Sequence, residues 1–381
     1  MPRITPRITG AEGQDDGLVL RWDNGAESRF PWFWLRDHGQ DPESLDPKTL
    51  QRRVDTFALD EAIRGEDSAV VEEGRGLTIT WPRENGGEPP QSRYSADFLA
   101  TMAGLLPEAI AAQPGRAPRL WSAVAGLAAV DPVPYAEIGA GKPGLRHCLE
   151  RLQRDGFVVI EGAPTDEASA RALFNHFGYI RETIFGGLWS LSAEMQEHDD
   201  TAYSTQYLEP HTDSTYCHDA PGLQCFLCQE FDGKGGESIL VDGFALAEEM
   251  RREAPELFRV LCEVSVPGRY IEPGVHLRTE RPAIRLDAAG RLQQVSFNNY
   301  DRAPFLLEPQ RMKAFYRAYK DLHARIVARE NWLTIPLRPG MALIFDNWRL
   351  LHGRLGYVGK RVFCGCYHNR EDFESALRTL A

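Results

Sequence analysis

Two short polar signals, about 140 residues apart, constrain this chain more than anything else in it. The first is His211-Thr212-Asp213, within the stretch from Tyr203 to Glu230. A strand sends residues i and i+2 to one face, so an imidazole and a carboxylate spaced this way aim at one point. The second is Phe345-Asp346-Asn347-Trp348-Arg349-Leu350-Leu351-His352-Gly353-Arg354, read as an apolar, Trp-containing strand ending at His352, with Arg361 nine residues on. An H-x-D triplet alone is common, and most such residues are surface groups or satisfied hydrogen-bond partners. Here it precedes a Pro221-Gly222 turn and an apolar strand over 223–228, and its distance from His352 suits a barrel whose early and late strands meet. Two imidazoles and one carboxylate on one face of Fe(II) leave positions open for other ligands, the facial arrangement of non-haem iron sites.

The rest of the composition sets bounds. With 381 residues, 43% hydrophobic and 26% charged, the chain suits one large and one small globular domain. A net charge of −12 excludes the basic footprint that nucleic acid needs and is compatible with a small cationic partner. No apolar run approaches the roughly 18 residues of a membrane span, and the first residues lack a signal peptide's apolar core, so we expect a soluble, cytoplasmic protein with no membrane partner. Seven cysteines spread from Cys148 to Cys366 fit a reducing compartment rather than a disulfide framework. Cys225 and Cys228 spell C-x-x-C but would face opposite sides of a strand.

The pattern predicts a hairpin of 18–22 and 29–35 around Asp23-Asn24-Gly25, and a second of 77–81 and 92–94 around Asn85-Gly86-Gly87. These define a small β-rich N-terminal domain, 1–113, ended by an interrupted helix over 96–113 and a Pro-containing linker. In 114–381, helices are expected at 145–154, 167–178, 245–264 (two pieces, because of Pro255) and 309–331. Strands are expected at 156–160, 238–241, 283–286, 292–297, 333–336, 341–345 and 362–367. Many short strands with helices outside them fit a mainly β, double-sheet jelly roll.

Pro210-His211-Thr212-Asp213, Pro221-Gly222-Leu223-Gln224, Ile239-Leu240-Val241-Asp242-Gly243-Phe244, Phe297-Asn298-Asn299 and the run from Phe345 to Arg354 carry a resemblance across nearly the whole chain. They resemble γ-butyrobetaine dioxygenase and its relatives, a branch of the 2-oxoglutarate-dependent dioxygenases that includes trimethyllysine dioxygenase. The resemblance implies a double-stranded β-helix catalytic domain, Fe(II) on His211, Asp213 and His352, and Arg361 gripping the distal carboxylate of 2-oxoglutarate. It also implies O2 as cosubstrate, ascorbate as a reductant, a homodimer, and hydroxylation of an aliphatic C–H with release of succinate and CO2. Phe185, Trp189, Tyr203 and Tyr367 fall where that family builds an aromatic cage around a trimethylammonium group, whose methyls donate no strong hydrogen bonds but whose charge is attracted to ring faces.

The departures from the family matter as much. Its N-terminal domain holds zinc with three cysteines after a WLRDN-type motif, whereas this chain has Gly39, Asp41 and Ser44 at those places, so we expect no zinc there. Asn298 matches a residue that contacts the substrate carboxylate, but Asp200 stands where a second such Asn would be, and an ionised Asp repels a carboxylate at close range. His198, Arg278 and Arg302 are further candidates for the anionic end. The substrate is therefore expected to be a small cationic or zwitterionic trimethylammonium compound, with γ-butyrobetaine, a trimethylammonio-alkylphosphonate and trimethyllysine all open. Two rivals use the same residues differently: a cupin-like metal hydrolase, against which Arg361 counts, and a betaine-binding protein without turnover.

Overall fold

The computed structural model describes residues 5–83, 88–106, 118–127, 129–139, 141–192 and 204–379. The expected turn at Asn85-Gly86-Gly87, and Asp200, Tyr203 and His198, lie outside them. The chain divides into two compact units, Met1–Pro114 and Gly115–Ala381.

The first unit holds β1 (Ile8–Gly13), β2 (Gly17–Trp22) and β3 (Glu27–Pro31) in one antiparallel sheet. A second sheet is made of β4 (Asp67–Val71), β5 (Gly76–Thr80) and β6 (Gln91–Ser95). Asp23-Asn24-Gly25 turns as expected, with Gly25 at φ +83°, a conformation that costs glycine little. The returning strand is shorter than the sequence suggests. It stops at Pro31, which lacks a donor for the ladder and precedes helix α1 (Trp32–Asp37). Trp32 and Leu35, one helical turn apart, are buried with Trp22, Leu77, Ile79 and Trp81, and helix α2 (Ala96–Met102) adds Leu99.

At the zinc-type positions, Asp41 works as a backbone clamp. Its carboxylate accepts hydrogen bonds from the Ser44, Glu43 and Arg93 amides at 2.9, 3.2 and 3.4 Å. A Cβ at Gly39 would stand 2.5 Å from Ser44 Oγ and 2.9 Å from Asp41 Oδ2, so those two side chains fill the space a thiol there would need. Asp41→Ala strands the buried Ser44 amide at a cost of about 1–3 kcal/mol. The expected outcome is a lower urea midpoint in the fluorescence of Trp22, Trp32 and Trp81.

The second unit is mainly β with helices packed on its outer faces. Six strands form one sheet in the order β7 (Val133–Pro134), β8 (Phe157–Glu161), β18 (Ala342–Asp346), β11 (Leu223–Gly235), β20 (Tyr357–His368), β9 (Trp189–Leu191). Four form the other, in the order β10 (Leu208–His211), β19 (Leu350–Arg354), β12 (Ser238–Asp242), β17 (Leu333–Ile335). Period-two alternation assigns each residue a layer. Val158, Ile160, Cys225, Leu227, Ala342 and Ile344 pack under helices α4 (Pro143–Asp155), α5 (Glu167–Phe174) and α9 (Arg370–Thr379), after the short α3 (Ala123–Leu127). Their neighbours Phe157, Val159, Cys228, Leu343 and Phe345 point between the sheets, against Leu240, Leu333 and Leu350.

Helices α6 (Gly243–Glu253), α7 (Pro255–Glu263) and α8 (Pro309–Val327) cover the four-stranded sheet, burying Ile239, Val241 and Leu351. Pro255 divides α6 from α7 as the sequence implies. The small hairpin β15 (Ile284–Leu286) and β16 (Leu292–Val295) also matches, whereas the hairpin of β13 (Ser265–Glu272) and β14 (Val275–Pro282) was not anticipated. None of the helices described is long and apolar enough to cross a membrane.

Candidate metal centre

His211 closes β10 and sits directly across the ladder from His352. His352 lies in the middle of β19 rather than ending a strand, because Asn347 to Arg349 form the turn that separates β18 from β19. That turn is anchored by Arg349, 1% exposed, which donates to both oxygens of Asp242 (3.2 and 2.7 Å) and to the carbonyls of Arg119 and Arg154. Asp242 in turn accepts from the first amides of α6, so one carboxylate fixes both the helix start and the strand that presents His352.

Asp213 converges on the histidines by a route other than strand alternation. The chain leaves β10 after His211, and Thr212 is tied to Phe297 by a backbone bond of 2.8 Å and by Phe297 N to Thr212 Oγ1 at 2.9 Å. Asn347 then clamps Asp213, accepting from its amide at 2.9 Å and donating to its carbonyl at 3.3 Å. Ser214 follows at φ +57°, a left-handed conformation that turns the chain away.

The three side chains present their ligand atoms within 4.8 Å of one another. Asp213 Oδ1 lies 3.2 Å from His211 Nε2 and 3.7 Å from His352 Nε2. Its other oxygen, Oδ2, is taken: Gln224 Nε2 donates to it at 2.7 Å and the Tyr367 hydroxyl at 2.8 Å. One carboxylate oxygen is left facing the imidazoles. His211 Nδ1 bonds the Glu209 carbonyl at 2.7 Å, which fixes the tautomer with Nε2 as the free lone pair. His352 Nδ1 is buried with no hydrogen-bond partner among the described residues. Packing orients that ring instead, with Phe345 at 4.8 Å and His211 at 4.5 Å between ring centroids.

The charges suit a divalent cation. Burial opposes ionisation of Asp213, but the His352 and His211 rings and the Tyr367 hydroxyl outweigh it and hold the carboxyl below the usual range. Burial pushes the His352 imidazole down to about 3, leaving it a neutral donor. Burial has the same tendency at His211, where the hydrogen bond and charge of Asp213 prevail and raise the pKa.

Arg361, on β20, lines the same cavity and is 8% exposed. Its guanidinium lies 3.8 Å above the Phe363 ring and has no acidic partner among the described residues. Burial, with a smaller contribution from Arg354, lowers its pKa to about 10, so it stays charged at neutral pH. A buried, unpaired fork of this kind fits a carboxylate ligand.

Phe185, Trp189, Asn298 and Tyr367 also line the cavity. Trp189 lies 5.5 Å from both Tyr367 and Phe226, and Phe185 makes an edge contact with Tyr270 at 5.8 Å. Arg278 and Arg302 do not reach the cavity: Arg278 pairs with Arg269 across the β13–β14 ladder, and Arg302 binds Asn299 and lies over Tyr316 and Tyr319. Sequence reasoning missed Gln224, Phe226, Asp301, Asn347, Arg354 and Tyr216. Gln224 and Asn347 stood inside the quoted motifs, and a polar side chain within an apolar strand was the available signal. A second convergent set, Cys225, Cys366 and His368, lies buried in the core under the helices, where burial drives the Cys366 thiol well up.

Fold and site together define a non-haem iron, 2-oxoglutarate-dependent dioxygenase. Residues 125–367 match the family described as "Taurine catabolism dioxygenase TauD, TfdA family", and the chain belongs to it. It is 33% identical over 379 residues to the mitochondrial trimethyllysine dioxygenase of Rattus norvegicus, covering 96% of this chain and 86% of that one. It is 32% identical over 396 residues to the trimethyllysine dioxygenase of Meyerozyma guilliermondii, covering 100% and 97%. With the gamma-butyrobetaine dioxygenase of Pseudomonas sp. it shares 30% over 385 residues, again covering 100% and 97%.

Proposed function

We propose that this chain hydroxylates an aliphatic C–H bond of a small trimethylammonium compound bearing an anionic group, using Fe(II), 2-oxoglutarate and O2. The second unit is read as a double-stranded β-helix with the site between its two sheets. His211, Asp213 and His352 would hold the iron, and Arg361 the far carboxylate of 2-oxoglutarate. Bound together, metal and cosubstrate supply the oxidising power for the hydroxylation. The protein's part is positioning. Gln224 and Tyr367 keep Asp213 to one metal-facing oxygen, which leaves room on the metal, and Arg361 sets the cosubstrate's direction. The trimethylammonium head would rest on the faces of Phe185, Trp189 and Tyr367, with Tyr203 as a further candidate wall.

The observation that carries this reading is that the aromatic wall and the ligand triad share one cavity and one residue: the Tyr367 ring meets Trp189 while its hydroxyl binds Asp213. A metal hydrolase has no use for Arg361 as a dicarboxylate anchor. The relatives' names point to the same substrate class. The test is a panel of trimethyllysine, γ-butyrobetaine and a trimethylammonio-alkylphosphonate, scored by coupled succinate release and a product heavier by one oxygen. Turnover of none of them would end the proposal.

Gly365 supplies a sharper check on the wall. A Cβ there would stand 2.0 Å from the Trp189 ring, so the indole occupies the space that a side chain at that position would need. Gly365→Ala is expected to push Trp189 off the wall and raise the KM for the ammonium substrate about tenfold, the worth of a desolvated cation–π contact. The KM for 2-oxoglutarate should stay within twofold of wild type.

A further inference from the structure

We propose that Cys225, Cys366 and His368 form a second metal site, for a thiolate-seeking divalent ion such as Zn(II), on the face of the six-stranded sheet opposite Gln224 and Tyr367. This goes beyond the dioxygenase reading and does not depend on its substrate.

Sheet register builds the set. β11 and β20 run antiparallel with Cys225 directly across from Cys366 and Leu223 across from His368. Residues 366 and 368 are two apart on one strand, so alternation sends both to the face that Cys225 uses. That face is the layer under α4, α5 and α9, and all three residues are 0% exposed. Both cysteines are free thiols. The three ligand atoms lie within 4.8 Å of one another, the same span that defines the His211, Asp213 and His352 set. Cys225 Sγ stands 3.5 Å from His368 Nδ1. A thiolate and an imidazole bound to one tetrahedral zinc ion are about 3.6 Å apart, given bonds of about 2.3 and 2.0–2.1 Å.

The chemistry of the donors selects the ion. Two thiolates and a neutral imidazole bring a charge of −2, which a divalent cation cancels, so the occupied site is uncharged as an apolar core requires. Two Cys and one His are a known zinc set, and their softness separates them from the iron triad of imidazoles and a carboxylate. Burial favours neutral thiols in the empty site, but a coordinating thiol is deprotonated outright by the ion it binds. Burial also keeps His368 neutral, with a lone pair to give. Packing alone does not account for this imidazole. Its Nε2 has no hydrogen-bond partner among the described residues, a cost of about 1–3 kcal/mol that a metal bond at Nδ1 offsets. The consequence for the enzyme is mechanical. Gln224 and Tyr367 are the adjacent register pair and hold Asp213 from the other face, so an ion bridging Cys225 and Cys366 ties β11 to β20 where that support is mounted.

The experiment expresses the full chain in medium supplemented with Cd(II), a zinc surrogate, purifies it under a non-thiol reductant and washes it with a chelator that strips the open iron cavity. Wild type is expected to retain one cadmium ion per chain and to show the ultraviolet thiolate-to-cadmium charge-transfer band, which the sulfur-free iron triad cannot give. In Cys225→Ala and Cys366→Ala both signals should fall at least ~10-fold, the smallest loss that even an outer-shell change at a metal site brings. Cys364→Ala removes a buried thiol of the same strand that lies outside the set, and Asp213→Ala empties the iron site; both should keep the ion and the band. Wild type without chelator-resistant cadmium overturns the inference, as does retained cadmium without the band. So does retention unchanged in Cys225→Ala, an equal loss in Cys364→Ala, or a wild-type mass two hydrogens short, the mark of a Cys225–Cys366 disulfide. Should Cys225→Ala fail to fold, Cys225→Ser takes its place, and the wild-type measurement stands without either.

Discussion

Arg361→Ala is expected to raise the KM for 2-oxoglutarate ~30-fold to several-thousand-fold, because truncating one partner of a buried, hydrogen-bonded charge pair costs about 2–5 kcal/mol. Arg361→Lys tests the same position more subtly. The site's burial lowers the guanidinium from its ordinary 12.5 to about 10. The same penalty acting on an ammonium, ordinarily near 10.4, brings it close to neutral pH. A lysine there binds a carboxylate only while protonated, so cosubstrate affinity in Arg361→Lys should fall as pH rises from about 7 to 9, where wild type stays flat. Succinate release at varied 2-oxoglutarate and pH measures both effects. An unchanged KM in Arg361→Ala would remove Arg361 from the cosubstrate site.

His211, Asp213, His352 and Arg361 were legible because the H-x-D triplet, common by itself, occurs with the run from Phe345 to Arg354, and the two together carry the family resemblance that implies their roles. It revealed less about how they are held. Gln224 and Tyr367 are register partners on β11 and β20, so that both reach Asp213 Oδ2 is a fact of sheet pairing across more than a hundred residues. No local periodicity encodes that. Asp301 was hidden for the same reason: beside Tyr300 and Arg302 it reads as a polar loop, and only the fold turns it toward the cavity. Errors in the elements have local causes. Trp32 to Leu35 alternates well enough for a strand, but Pro31 and the one-turn spacing of Trp32 and Leu35 favour α1. The β13–β14 hairpin was missed because Pro267, Gly268 and its arginines break the apolar alternation. Long, strongly patterned segments such as α8 and β18 were legible because burial alone decides them.

Asp213→Ala is the other large effect expected, and its signature should reach beyond lost activity. Without the carboxylate two neutral imidazoles remain, and Gln224 Nε2 and the Tyr367 hydroxyl lose their acceptor. Fe(II) affinity should drop by at least ~100-fold, since even outer-shell losses at metal sites cost 10–100-fold. Turnover should become undetectable. A bound metal stabilises the native state by mass action, by about 2.7 kcal/mol at a hundredfold excess over Kd. Wild type should therefore gain Tm on anaerobic addition of Fe(II), and Asp213→Ala at the same concentration should gain at most a small fraction of that, about 0.4 kcal/mol or less. Tyr367→Phe separates the ligand from its support: the ring stays for the substrate wall, while Asp213 Oδ2 keeps only Gln224. Its metal affinity should fall about tenfold and its Tm gain should shrink without vanishing. An Asp213→Ala protein that gains as much Tm with Fe(II) as wild type would show the metal held elsewhere, and equal behaviour of Tyr367→Phe and wild type would show that Gln224 alone suffices to hold the carboxylate.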